Sequence, residues 1–147
     1  MAKKILIVIV IIILALQLYR PDIEVPSTHV QGQDILSQYP DAPPTLKAAC
    51  YDCHSYESKL PWYAYINPMG ILVRNHIRDA RKKLNFSLFQ TYDLEKRQHK
   101  LEECVEEVEK GNMPIKNYSW MHPESRLTTD QRNELTAWFK TIAALQQ

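Results

Sequence analysis

Cys50-Tyr51-Asp52-Cys53-His54 is the stretch on which the reading of this chain turns. Two thiols separated by two residues, with an imidazole directly after the second, make the pattern C-x-x-C-H. The chemistry explains the spacing. Two thiols must reach the two vinyl groups along one edge of a porphyrin to form thioethers, and the adjacent imidazole then falls under the iron as its proximal ligand. The pentapeptide therefore points to one covalently attached haem c, with Cys50 and Cys53 as attachment points and His54 as metal ligand. Three blander readings stand beside it, one of them an accidental or disulfide-forming pair of cysteines. A thioredoxin-like redox pair would need a βαβ context, and a structural zinc site built on Cys50, Cys53, His54 and Cys104 would need a second C-x-x-C.

Outward from the motif, composition narrows the class. A chain of 147 residues has room for one domain and one ordinary core. Three cysteines are too few for a disulfide scaffold. Eighteen basic against seventeen acidic residues give +1, which offers no electrostatic footing for nucleic acid. With only three glycines and few valines past residue 20, a sheet of many short strands is not expected. The reading is all-α, a small helical domain of cytochrome c-like type behind an N-terminal transmembrane or signal helix.

That leading segment runs from Ile5 to Leu16 without a polar residue, after Lys3 and Lys4. It has the charged start and apolar stretch of a signal, yet no A-x-A-like triplet marks a cleavage site. Lys3 and Lys4 precede the apolar run, so the positive-inside bias leaves the N-terminus in the cytoplasm and the domain exported. The expected organisation is a signal anchor or signal peptide over 1–20, a Pro-rich tether over 21–44 and a haem-binding domain over 45–147. The expected address is the inner membrane, anchored through residues 5–19, with the domain in the periplasm.

Within the domain, Thr45 follows Pro43-Pro44 and is expected to cap a helix through Cys50. Met69, Leu72, Val73, Ile77 and Ala80 keep helical spacing, interleaved with Arg74, Arg78, Arg81, Lys82 and Lys83. That basic face suits solvent, an acidic docking partner or the haem propionates. Asp93 opens a helix whose stripe is Leu94, Leu101, Cys104, Val105 and Val108, and Gly111 ends it. Thr128-Thr-Asp-Gln131 is a capping box ahead of Leu135, Trp138, Phe139 and Ile142.

The sixth iron position has three candidates. Met113 follows Gly111 and precedes Pro114, a stiffened loop 59 residues past His54, and a thioether there is the expected distal ligand. Met121 is a second candidate. His76, set between Val73 and Ile77, would instead make the site bis-histidine and lower its potential. His29, His99 and His122 read as solvent-facing, Cys104 as an inert buried thiol, and Trp62, Trp120 and Trp138 as core or haem-wall residues.

Gly111-x-Met113-Pro114, then Leu127-Thr128 and a closing helix with Trp138, resembles the second half of small class I cytochromes c. More specifically, the chain resembles the bacterial haem-binding domain family over roughly residues 30–145. The matching residues are Cys50-Tyr-Asp-Cys-His-Ser55, Pro61-Trp-Tyr63, Pro68, His76, Arg81, Leu84-Asn-Phe-Ser87, Met113-Pro114, Tyr118, His122-Pro123 and Trp138. Ala80 and Phe89 depart from the pattern, standing where Gly and Trp are expected. The resemblance implies a monohaem c-type domain facing the periplasm, attached through Cys50 and Cys53 with His54 as proximal ligand.

The function expected is one-electron transfer outside the cytoplasm, with transient, membrane-associated redox proteins as partners and no catalytic residue of its own. The alternative is a haem-based ligand sensor or peroxide-reducing domain whose sixth position is open or held by His. A third reading makes haem a structural staple for an interaction domain.

Overall fold

The computed structural model describes residues 1–23, 26 and 32–146. It is helical, with no strand among the described residues. The helices are α1 (Ala2–Leu16), α2 (Ile35–Gln38), α3 (Pro44–Leu46), α4 (Asp52–His54), α5 (Met69–Lys83), α6 (Leu94–Glu109), α7 (Lys116–Met121) and α8 (Thr129–Ala144). A π turn over Lys47–Tyr51 joins α3 to α4, so residues 44–54 form one continuous helical run. Short 3₁₀ turns cover Trp62–Tyr65, Phe86–Thr91 and Pro123–Ser125.

The caps follow the sequence closely in the C-terminal half. Asp93 accepts from the Lys96 amide at 2.7 Å and opens α6. Gly111 ends it with φ of 72°, the left-handed value a side chain resists. At the head of α8, Thr128 and Gln131 close their reciprocal box at 3.2 and 2.9 Å. Helices α6 and α8 then pack on each other, burying Leu101 and Val108 against Leu135, Trp138, Phe139 and Ile142. Leu94, expected on the stripe, is half exposed at the first position of α6.

Elsewhere the structure corrects the sequence reading. The Thr45 cap is not made: Pro44, with its φ preset for a first turn, starts the helix one residue earlier, and Thr45 Oγ1 is buried without a hydrogen-bond partner. The second half of the Pro-rich tether is no spacer. Ile35 is fully buried and Tyr39 nearly so, because Asp34 caps α2 and also accepts from Tyr51 Oη at 2.7 Å. His29 lies outside the described residues. Phe89, standing where Trp is expected, is fully buried in the core.

Helix α1 has 15 residues and no buried one. At 1.5 Å per residue it spans about 22 Å, against about 30 Å of bilayer hydrocarbon. No helix among the described residues is long and apolar enough to cross a membrane. Its end is tied to the domain through Asn67, whose amide N–H donates to Gln17 Oε1 at 2.9 Å and whose Nδ2 donates to the Tyr19 carbonyl at 2.7 Å. Three residues on, Gly70 is a steric requirement, because a Cβ there would lie 2.7 Å from the Ala64 carbonyl oxygen.

Candidate haem site

The residues of the motif are placed by helix geometry and then held by long-range polar contacts. The π turn carries Cys50, and α4 carries Cys53 and His54. π turns are uncommon and recur at functional sites, where the extra residue re-aims a side chain. Past His54 the chain is clamped by Arg81 of α5. Its Nε donates to the Ser55 carbonyl at 2.8 Å, its Nη2 to Ser58 Oγ at 3.0 Å and its Nη1 to the Ile23 carbonyl. Arg81, expected on a basic face, is instead a half-buried clamp on the segment that follows the imidazole.

Cys50, His54, Cys104, Met113, Phe86 and Phe139 face one cavity of about 330 Å³, with Leu84, Val108 and Pro114 completing its apolar wall. Its size lies at the low end of the range for small-molecule and cofactor sites, about 300–1,000 Å³. Lys83, Lys100, Glu103, Glu106 and Glu107 also line it and supply its charge. Lys83 is the member of the expected basic face that reaches this cavity. Met113 arrives because the turn after α6 doubles back: its amide donates to the Glu107 carbonyl at 3.1 Å. From α8, Arg132 holds the Met113 carbonyl at 3.2 Å and also bonds the Val108 carbonyl.

His54 Nδ1 lies 3.0 Å from the Leu84 carbonyl oxygen. A carbonyl can only accept, so Nδ1 carries the hydrogen and Nε2 keeps a free lone pair. This is the arrangement by which proteins orient a metal-ligating imidazole and fix its tautomer. Burial lowers the His54 pKa, keeping the ring in the neutral form a metal requires. Burial also lifts the thiols, Cys50 to about 12 and Cys53 to about 11. Both thiols are therefore protonated near neutral pH. An imidazole lone pair and a thioether in one largely apolar cavity, with two thiols on the helical run that carries the imidazole, are a donor set that suits haem.

The structure does not gather every candidate. Cys53 lies on α4 but outside the cavity wall. His76 is exposed, because α5 buries only Gly70 and Ile77 and leaves Met69 and Leu72 in solvent. Met121 is 45% exposed at the end of α7. Of the tryptophans Trp138 is buried, whereas Trp62 and Trp120 are exposed. His99 is exposed and paired with Glu103. His122 is not solvent-facing: it sits between Tyr63 and Glu124. Cys104 is half-buried and belongs to the cavity wall, within electrostatic reach of Cys50. Sequence reasoning missed this, as it missed Arg132, since a helical stripe does not reveal which of its members borders a cavity.

A helical domain with an oriented imidazole on an apolar cavity defines a small haem-binding protein. The sequence model of the haem-binding domain family matches residues 9–141, and the chain belongs to that family. No curated protein and no solved structure matches it.

Proposed function

We propose that the chain is a monohaem c-type cytochrome domain that carries one electron at a time outside the cytoplasm, held to the inner membrane by α1. The observation that carries this reading is the His54–Leu84 hydrogen bond, which readies Nε2 for iron in the cavity that Met113 also lines. Cys50 and Cys53 are the thioether positions, His54 the proximal ligand and Met113 the distal one.

Bound haem supplies a reversible one-electron couple. The chain's own part is to keep that couple from reorganising. Arg81 fixes the backbone after His54, and Arg132 fixes the carbonyl of Met113, so both ligands sit on braced segments. Phe86 and Phe139, stacked at 6.5 Å between centroids, exclude water from one wall. Lys83 and Lys100 are the cations that line the cavity on which propionates could draw, Lys100 being paired with Glu103 at 2.5 Å.

An anchoring role for α1 rests on its unbroken apolar run from Ile5 to Leu16 and on Lys3 and Lys4 in its first turn. With the end of α1 tied to Asn67, exposed Trp62, Tyr65, Ile66 and Met69 lie close by in sequence, suited to headgroup depth. Partners would be membrane-associated redox proteins that dock weakly, as such encounters do.

The test is absorption spectroscopy and intact mass of the exported domain made in cells that mature c-type haem, beside Met113→Ala. The expected result is a chain heavier by one haem that resists denaturing extraction. Its oxidised spectrum should show the long-wavelength band of a Met-ligated ferric haem, lost in the variant. A high-spin spectrum that responds to carbon monoxide would overturn the carrier reading in favour of a ligand sensor or peroxide-reducing domain.

A further inference from the structure

We propose that His122 is a redox-linked proton site, taking up one proton when the haem domain takes up one electron. This rests on the electron-carrier reading above and extends it from electrons to protons.

None of the residues concerned lines the haem cavity. Tyr63 Oη lies 2.7 Å from His122 Nε2, and His122 Nδ1 lies 2.9 Å from Glu124 Oε1. The ionised carboxylate can only accept, so Nδ1 carries the hydrogen and Nε2 accepts from the phenol. Tyr118 stacks on the imidazole at 4.3 Å between centroids and donates its hydroxyl to Asp52 Oδ2 at 2.7 Å. Asp52 stands between Cys53 and Cys50 in the motif. His122 is thus wired to the haem-attachment segment through one tyrosine, and Tyr63 lies within electrostatic reach of both Asp52 and Cys53.

The arrangement accommodates both protonation states of the imidazole. On protonation Nε2–H donates to Tyr63 Oη, and the half-buried phenol turns its hydrogen to water. The imidazolium then keeps Glu124 at one nitrogen and the Tyr118 ring on its face, both favourable to a cation. The groups facing it are Glu124 from its own turn, Tyr63 from the Trp62–Tyr65 turn and Tyr118 from α7; Asp52 and Cys53 of α4 act on those two tyrosines. The His122 side chain is only 14% exposed, so a charge added nearby is less screened than at the surface.

The step balances simply. One electron arrives from a reduced partner protein, one proton arrives from solvent, a single N–H bond forms at His122 Nε2, and net charge is unchanged.

The experiment is a redox titration of the haem-loaded chain from pH 5 to 9, in wild type, His122→Gln and Glu124→Gln. The expected wild-type potential falls as pH rises through the coupled range. The limiting slope is a tenfold change in the one-electron equilibrium per pH unit, about 59 mV. The slope should vanish in His122→Gln. In Glu124→Gln, whose exposed side chain makes loss of folding no concern, the sloping range should move to lower pH, because the imidazolium has lost its carboxylate. A flat wild-type profile, a slope that survives His122→Gln, or a Glu124→Gln profile identical to wild type would each overturn the proposal. Absence of any reversible one-electron couple would be a different failure, overturning the carrier reading beneath it.

Discussion

The α6–α8 pair and the 44–68 segment are built on different physics, although both border the same cavity. The pair is held by apolar burial. Two amphipathic helices, each opened by its own side-chain cap, interlock through Leu101, Val108, Leu135, Phe139 and Ile142. The 44–68 segment holds short helical pieces totalling few turns, and polar contacts fix its shape. Ser55 Oγ donates to the Tyr51 carbonyl at 2.7 Å, the Lys59 amide donates to Asp52 at 3.0 Å, and Arg81 reaches in from α5. Short helices are marginal alone, so this region depends on partners far away in sequence and on whatever fills the cavity. Where burial makes order, the cofactor is a guest. Where hydrogen bonds make it, the cofactor becomes part of the structure.

The largest effect should come from the segment that leans on the cofactor. His54→Ala removes the oriented Nε2, and the expected result is loss of the low-spin haem spectrum together with faster proteolysis within residues 44–68. Protection of α6 and α8 amides in hydrogen exchange should change far less. Equal loss of protection in both regions would show that they are one cooperative unit after all.

Phe139→Ala should break the comparison from the other side, since this ring is a core member of the pair that also faces the cavity. It is 1% exposed, stacks on Phe86 and lines the cavity. A large-to-small change at such a site costs about 3–5 kcal/mol. Denaturant unfolding should show that loss in the haem-free and the haem-loaded chain alike. A loss confined to the loaded chain would make Phe139 a haem-wall residue with little structural weight.

These contrasts also mark how much was legible in the sequence. The α6–α8 pair was readable because its information is local and periodic: Asp93, Gly111, the Thr128–Gln131 box and the apolar stripes each announce themselves within a few residues. The motif was readable because its spacing is chemical. What surrounds the motif was not, since it depends on contacts that no period encodes. Arg81 looked like one cation among several, yet only the fold brings Ser55, Ser58 and Ile23 to it. His122 looked solvent-facing beside its proline, and nothing local shows that Tyr63 lies against it, 59 residues away in the chain. The α5 stripe misled in the opposite direction. Its period is sound, but few elements cover it, so Leu72 and His76 stay in solvent.

Arg81→Met keeps the length of the side chain and removes the clamp. Hydrogen bonds from a charged donor are worth about 1.5–3 kcal/mol, and here the backbone after His54 loses its brace. Burial lowers the Arg81 pKa from its ordinary value, yet the guanidinium stays charged throughout the working range, so the effect should not vary with pH near neutrality. The expected outcome is destabilisation of that size with haem still attached and a broadened ferric spectrum as His54 loses its fixed setting. Unchanged spectra with the same loss of stability would place Arg81 in the scaffold alone.

The smallest effect belongs to the pair that leans least on the cofactor. Thr128→Ala removes the oxygen that accepts from the Gln131 amide and leaves the Gln131 side chain bonded to the residue 128 amide. Loss of such a cap costs about 1 kcal/mol. Because α8 gains most of its order from the face it buries on α6, the melting temperature should fall by a few degrees, as about 1 kcal/mol does in a domain of this size. The haem spectrum should be identical to wild type, since Thr128 lines no part of the cavity. The sharper consequence lies in the contrast with Arg81→Met. The costs of the two substitutions are within a factor of about three of one another, yet only one should reach the iron. If Thr128→Ala also altered the spectrum, the brace on Met113 would run through the start of α8, where Arg132 stands four residues on. The two regions would then be coupled through Met113 and not separated by it.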